Sequence, residues 1–363
     1  MSIKELEEQI KYHQNLYYNN QPEITDAEFD ALVDKLATLD PTNPLLTTMV
    51  GSDHTEGFKK EKHRILMGSQ SKANTEEEMQ TWLSSIDNSV VLATYKCDGI
   101  SLELNYDNGV LVSCLTRGDG IYGDNCTKNA IKMKGVPTKI DSKFTGAVRG
   151  EVLLFRKDKE KYYSDMKNCR NAASGIVKRL DGVGCEHLTV VCYDVQYSDN
   201  RKFNNQMEII KFLEDNKFNV VEYKVMKNLK ATECMEYLNN VFGNFDNLDY
   251  DIDGIVFKQN TIDMNDIKNN VRPKTQIALK PEMVLKETTI RDIKWQVKNG
   301  RLTPVAIFDG VDIQGATVKQ ASAYNVSFLE ELDIEIGDKV LVTRFNMIIP
   351  GIVSNITKNK HIA

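Results

Sequence analysis

What this chain lacks narrows its class before any motif is read. Its seven cysteines, at positions 97, 114, 126, 169, 185, 192 and 234, never fall at the paired C-x₂₋₄-C spacing of a structural zinc site. They read as reduced, mostly buried thiols of an intracellular protein. Neither a signal peptide nor a long apolar run is present, so a membrane span is not expected and the cytoplasm is the default location. No internal repeat or low-complexity tract stands out, and the asparagine-rich stretch Asn239–Asn247 reads as a surface loop. Positive charge is not in excess either: 46 Lys and Arg against 52 Asp and Glu leave a net −6, the wrong sign for a chain that grips a polyanion along its whole length.

That deficit is local. Residues 1–60 carry five Lys and Arg against eleven Asp and Glu, whereas the remaining 303 residues balance at 41 of each. Residues 339–363 hold Lys339, Arg344, Lys358 and Lys360 and no acid. Acid therefore gathers at one end, and basic charge suited to phosphates at the other. A chain of 363 residues has ample core-forming sequence for two or three domains.

The most informative string is Lys96-Cys97-Asp98-Gly99. The apolar run Val90–Tyr95 leads into it, and Ser101-Leu102-Glu103-Leu104-Asn105-Tyr106 leaves it with alternating apolar residues. Asp107-Asn108-Gly109 then turns the chain into Val110-Leu111-Val112-Ser113, which predicts a β-hairpin. A lysine at a strand end is, alone, an ordinary solvated residue. Its companions change the weighting: Arg117-Gly118-Asp119-Gly120, Arg149-Gly150-Glu151, the string Asp251–Lys258 and Ala278-Leu279-Lys280-Pro281 follow in order. A lysine that attacks an α-phosphate must be neutral at that moment, and neighbouring cations such as Lys258, Lys280 and Arg117 would favour the neutral form. The same cations can hold the phosphate while its charge redistributes. Carboxylates such as Glu151 and Asp253 suit a ribose hydroxyl or a magnesium ion bridging phosphate oxygens.

Ser2-Ile3-Lys4-Glu5 reads as a capping-box start to a helix with Ile3, Leu6 and Ile10 on one face. Thr25-Asp26-Ala27-Glu28 reads as the start of a second, with Phe29, Leu32, Val33 and Leu36 buried, so that Asp26 and Asp30 share the outer side. Asp26 would be stabilised by the helix dipole in any case, but Asp30, in mid-helix, has no such reason to be there. Tyr17 and Tyr18 close the preceding helix, just ahead of Pro22. Two aromatics and two carboxylates at a helix corner suit a flat cationic ring such as nicotinamide, by stacking, cation–π attraction and charge pairing.

The motif series resembles that of the covalent nucleotidyltransferases, the DNA and RNA ligases and mRNA-capping guanylyltransferases. Within that group, Tyr17-Tyr18, Pro22-Glu23-Ile24, Asp26 and Asp30 resemble the N-terminal domain of NAD-dependent DNA ligases, which takes up the nicotinamide mononucleotide half of NAD. The resemblance runs over essentially the whole chain. Met67-Gly68-Ser69-Gln70-Ser71-Lys72 stands where the family has a Met-Leu-Ser-Leu-type linker, so Ser69 matches and Gln70 departs. Leu115–Asp124 matches closely, as does Cys169–Gly175, followed by Lys178 where the family usually has arginine. Tyr193 matches an aromatic that stacks on adenine. Thr94 is the clearest departure, because the bacterial enzymes usually carry glutamate two residues before the nucleophile. From about residue 285, Ile290–Val297, Thr303–Phe308 and Lys339–Arg344 read as short strands, and Ile336-Gly337-Asp338-Lys339 as a tight turn. Thr303-Pro304-Val305-Ala306 and Ile336–Val340 resemble strings in the family's OB-fold.

The resemblance implies an α+β fold in three parts. These are a small helical nicotinamide mononucleotide-binding domain over 1–66, an ATP-grasp-like nucleotidyltransferase domain of antiparallel sheets and helices over 67–284, and an OB-fold β-barrel over 285–363. It implies an NAD-dependent ligase that seals nicks in duplex DNA through a lysyl-AMP on Lys96, with magnesium. Lys96, Asp98, Lys258 and Lys280 would carry the chemistry. Tyr17, Tyr18, Asp26, Asp30, Ser69, Gln70, Arg117, Glu151, Tyr193 and Val256 would join Lys96, Lys258 and Lys280 in holding NAD. Arg170, Lys178 and Arg344 would meet DNA, and Glu151 and Asp253 would face the metal. An RNA ligase or capping enzyme shares the lysine motifs but gives no reason for Tyr17, Tyr18, Asp26 and Asp30. A nucleic-acid-binding accessory without catalysis gives no reason for Lys96, Lys258 and Lys280. Bacterial members continue past the barrel into a zinc module, helix–hairpin–helix repeats and a BRCT domain that have no counterpart here. The expectation is that their DNA-binding surface is supplied by a second protein chain, dispensed with in a minimal, viral-type enzyme, or truncated away.

Overall fold

The computed structural model describes residues 3–18, scattered positions between 32 and 43, and 57–361 without 141–142, 165, 167, 283, 299–300, 314–315, 324 and 346–348. Asp26 and Asp30 lie outside the described residues, as do the side chains of Tyr17 and Tyr18. The chain divides into two compact units, one from residues 1–41, 239–245 and 281–363, the other from 42–238 and 246–280.

The larger unit contains β1 (Lys60–Lys62), β2 (Ser71–Ala73), β3 (Val90–Cys97), β4 (Ile100–Asp107), β5 (Val110–Thr116) and β6 (Tyr122–Asp124). It continues with β7 (Gly146–Leu154), β8 (Leu188–Ser198), β9 (Tyr223–Lys227), β10 (Ile252–Gln259) and β11 (Gln276–Leu279). Two large sheets form, in the orders β2-β11-β10-β3-β9 and β5-β4-β7-β8, beside the two-stranded antiparallel pair β1-β6. Pairing within them is antiparallel except between β2 and β11. The expected hairpin is β4–β5. Its first strand does not pair with β3; Asp98-Gly99 instead carries the chain from one sheet to the other. A side chain at position 99 would put its Cβ 2.3 Å from the Val152 carbonyl oxygen, so only glycine passes there.

The core of this unit lies between the second sheet and two helices, Cys169–Val177 and Gln206–Asp215. Leu102, Leu104, Val148, Val152 and Val190 meet Ala172, Ile176, Ile209, Phe212 and Leu213. Asn168 and Asn205 cap the two helices, their side chains accepting from the Asn171 and Glu208 amides. Every residue of β7 is buried, Arg149 and Glu151 among them. Charges in such a strand are tolerated only with partners, and their partners define the two sites described below.

The smaller unit opens with the helix Ile3–Tyr18. Leu6 and Ile10 are fully buried, but Ile3 is exposed, a correction to the expected three-residue stripe. Ile3 is the first residue of the helix, and the covered face begins one turn later. This unit also contains β12 (Lys286–Lys298), β13 (Arg301–Ile313), β14 (Ala316–Ser322), β15 (Lys339–Phe345), β16 (Ile349–Asn355) and β17 (Lys360–His361), in the order β14-β13-β12-β15-β16-β17. The strands are longer than the sequence pattern indicates. Register irregularities between Ile290 and Asp292, and between Ile307 and Val311, interrupt the alternation while the strands continue through them. Ile290, Phe308, Val340, Val342 and Ile352 fill the core.

Asn239–Asn247 is not a loop. The helix Ala231–Gly243 runs into it and a 3₁₀ turn, Phe245–Asn247, follows. Cys234, Leu238 and Phe242 are buried at i, i+4 spacing, and that stripe outweighs the asparagines on the exposed side. All seven cysteines are free thiols, six of them buried. Among the described residues no helix is long and apolar enough to cross a membrane.

Gly99→Ala should cost about 2 kcal/mol, because the added carbon overlaps backbone rather than a movable side chain. The urea midpoint measures this, and an unchanged midpoint would show that the crossing between sheets has room for a Cβ.

Candidate active site

Lys96 stands at the end of β3, opposite Gly254 on β10, with Thr94 opposite Val256 and Leu92 opposite Lys258. The register of β10 breaks between Ile252 and Gly254, and Asp253 occupies the break. Its Oδ1 lies 2.9 Å from Lys96 Nζ and its Oδ2 lies 2.9 Å from the Nζ of Lys280, just past β11. The three side chains are 27%, 28% and 27% exposed for Lys96, Asp253 and Lys280, so the cluster is open to a ligand. Burial raises the Asp253 pKa, but the charges of Lys96 and Lys280 outweigh it and hold the carboxyl below its ordinary value. An entering phosphate would meet two ammonium groups at once.

Asp98 accepts a hydrogen bond from Arg170 Nη1 at 2.9 Å, and Arg170 projects from the helix Cys169–Val177. Glu151 on β7 faces Ser101 on β4, whose hydroxyl donates to Glu151 Oε2 at 3.0 Å. Burial pushes the Glu151 carboxyl up to about 7, against the opposing pull of Arg170, Lys96, the Ser101 hydroxyl and Arg117. Arg117 is thereby placed in the same electrostatic environment. Structure thus brings Lys96, Asp98, Arg117, Glu151, Arg170, Asp253 and Lys280 together from six separate strings of the sequence.

Lys258 is placed differently. Only 3% of its side chain is exposed, its Nζ lies 2.8 Å from Asp194 Oδ2, and it stands 5.7 Å from the centre of the Tyr193 ring. Tyr193 packs against Leu153, Val191 and Val221, and burial raises its hydroxyl pKa. Thr94 is buried and donates to the Val256 carbonyl at 3.5 Å; Val256 is buried too. The Ser69 hydroxyl accepts from Arg272 Nε at 3.3 Å, and Gln70, next in the chain, is half-buried. Lys178 is the half-buried C-cap of the helix Cys169–Val177. In the smaller unit, Arg344 donates from Nη1 to the Ile313 carbonyl at 3.3 Å.

Sequence reasoning passed over Asp194 and Ser101. Asp194 holds Lys258 across 64 residues of chain, a pairing that appears only once β8 and β10 approach each other. Ser101 carried one signal, its place on the polar face of an alternating strand. Among the described residues no three His, Cys, Asp or Glu side chains converge as a metal cage. Glu151 and Asp253 fit the other arrangement, in which magnesium takes one or two carboxylates and is completed by substrate phosphates and water.

A buried acid with a raised pKa weakens the fold at high pH. From about pH 4.5 to about 7 the folded state keeps a proton on Glu151 that the unfolded chain has lost, so stability falls across that window and then levels off. Glu151→Gln should therefore stabilise the ligand-free protein at about pH 8, by on the order of 1–3 kcal/mol, and not at about pH 4.5. Thermal melts at the two pH values decide this; an equal offset at both would contradict the buried acid.

Three family models match the chain. Residues 1–50 match the DNA ligase-like N-terminal NAD+-binding domain, 55–280 the NAD-dependent DNA ligase adenylation domain, and 287–362 the NAD-dependent DNA ligase OB-fold domain. The DNA ligase of Treponema denticola is 41% identical over 366 residues, covering 96% of this chain and 56% of its own length. That of Treponema pallidum is 38% identical over 374 residues, covering 99% of this chain and 45% of its own length. That of Sorangium cellulosum is 33% identical over 395 residues, covering 99% and 57%. The chain spans about half the length of the curated relatives it matches. With the adenylation model alone matching 55–280, this chain belongs to the NAD-dependent DNA ligase family.

Proposed function

We propose that the chain is an NAD-dependent DNA ligase that seals nicks in duplex DNA, in the cytoplasm, as part of DNA repair and replication. The observation that carries this reading is Asp253 held between Lys96 and Lys280 at the open edge of the first sheet. Lys96 loses a proton to solvent, favoured by the positive charge of Lys280 beside it, and the neutral amine attacks the adenylyl phosphorus of NAD. A nitrogen–phosphorus bond forms as the bond to the bridging pyrophosphate oxygen breaks, and nicotinamide mononucleotide leaves. Lys280 then faces a phosphate that is losing its diphosphate partner, and Glu151 accepts a ribose hydroxyl. Lys258 exchanges Asp194 for phosphate as the nucleotide settles, with Tyr193 and Val256 against the base.

The 5′-phosphate of a nick next attacks the same phosphorus, the nitrogen–phosphorus bond breaks, and Lys96 regains a proton. The 3′-hydroxyl finally attacks the 5′-phosphate and AMP leaves. Asp98 keeps Arg170 oriented toward the DNA, which Lys178 and Arg344 also meet. Magnesium, when bound near Glu151 and Asp253, would supply charge neutralisation for the phosphates. Tyr17, Tyr18, Asp26, Asp30, Ser69 and Gln70 hold NAD, the first four at its nicotinamide half. The proposed domain limits are 1–66, 67–284 and 285–363.

Incubation with radiolabelled NAD, ATP or GTP and magnesium tests the reading: only NAD should label the protein, and Lys96→Ala should abolish the label. Labelling of that variant at the wild-type level would place the nucleophile elsewhere. Asp30→Ala should cripple self-adenylation yet leave closure of a nick already carrying 5′-AMP nearly intact. Equal loss of both activities would make Asp30 a structural residue.

A further inference from the structure

His63, Glu103 and Arg149 are buried charged or titratable groups that the proposed reaction does not use, with side chains 0%, 1% and 8% exposed. Glu103 on β4 is the register partner of Arg149 on β7. His63 Nδ1 lies 3.1 Å from Glu103 Oε1, Asn105 Nδ2 donates to the same oxygen at 3.3 Å, and Arg149 Nη2 stands 3.6 Å from Oε2. Burial opposes ionisation of Glu103, but His63 and Arg149 hold its carboxyl below the ordinary range.

The far ends of both basic groups hold backbone. Arg149 Nη2 donates to the Ile65 and Leu66 carbonyls at 3.3 and 3.2 Å. His63 Nε2 lies 3.2 Å from the Arg117 carbonyl. The two ring nitrogens of His63 thus face a carboxylate and a carbonyl, which only accept, so both contacts are hydrogen bonds when each nitrogen carries a proton. Around them the chain is drawn close: the His63 amide donates to the Ile121 carbonyl and the Met67 amide to the Gly120 carbonyl, each at 2.9 Å. A Cβ at Gly123 would come within 2.8 Å of His63 Nε2. The Arg117 carbonyl also accepts from the Gly120 amide at 2.9 Å, closing a turn in which Gly118 and Gly120 have φ of 56° and 85°. Two donors on one carbonyl fix the peptide from which the Arg117 side chain departs, and that side chain's charge is felt at Glu151.

We propose that His63 is a positioning residue for nucleotide transfer: its Nε2 contact locks the Arg117 turn, and with it the direction in which the guanidinium is presented to the nucleotide. This rests on the reading of Lys96 as the adenylated nucleophile. His63→Gln places an amide donor near Nε2, and His63→Asn places one near Nδ1, so the pair separates the contact to Arg117 from the contact to Glu103. Self-adenylation with NAD and magnesium should stay within about threefold of wild type in His63→Gln and fall about tenfold in kcat/KM in His63→Asn. Thermal unfolding should move by similar amounts in both. In an Arg117→Ala background the difference between Gln and Asn should vanish.

Equal losses in the two variants, or a Gln–Asn difference that persists without Arg117, would each overturn the proposal while wild-type labelling stands. Absence of labelling in the wild type would instead remove the reading of Lys96, and the proposal with it.

Discussion

Asp253 lies 2.9 Å from both Lys96 and Lys280, and through those contacts one carboxylate joins the ends of three neighbouring strands, β3, β10 and β11. Without it, two ammonium groups would face each other at a half-exposed edge and repel. With it, each lysine is oriented toward the same small volume before any ligand arrives, which is the preorganisation a charge-shifting reaction needs. The irregularity of β10 at Asp253 is the structural device, since a regular strand would alternate that side chain away from Lys96. Lys258, on the regular part of β10, shows the contrast: it is buried, and Asp194 holds it.

The second sheet carries the opposite kind of charge. β7 is buried from end to end and still contains Arg149 and Glu151, two residues apart on one face. Arg149 is paired in charge with Glu103 and donates to backbone carbonyls, and it ties the chain at residues 65–66 to the sheet. Among the described residues, Ser101 is the hydrogen-bond partner of the Glu151 side chain, and Glu151 keeps a proton up to about pH 7. A protein built for stability alone would not place an acid there. Its cost to the fold is of the kind accepted where a ligand supplies the missing partners.

Much of this was legible in the sequence. The hairpin after Gly99 follows from Asp107-Asn108-Gly109, and Lys96, Glu151, Asp253 and Lys280 from motifs whose residue types suit phosphate transfer, while Asp98 and Arg170 came only through the family resemblance. The limits have physical causes. Lys96-Cys97-Asp98-Gly99 reads as the link of two consecutive strands, but local pattern cannot say that they join different sheets; the approach of Val152 to Gly99 decides that. Sequence reasoning placed cationic neighbours at Lys96 and set Asp253 toward a metal; that Asp253 pairs directly with Lys96 follows only from the fold, because a string of lysines does not reveal which acid folds between them. His63 and Asp194 left no mark, since each acts through a partner more than fifty residues away in the chain, Arg117 and Lys258. Asn239–Asn247 misled because its asparagines lie on the exposed side of a helix whose buried stripe begins eight residues upstream of Phe242.

Peptide mapping by mass spectrometry after incubation with NAD and magnesium tests the central claim most directly. The account predicts one AMP per chain, on the peptide containing Lys96, released by mild acid as a phosphoramidate would be. AMP on any other residue, or an adduct that survives acid, would contradict it.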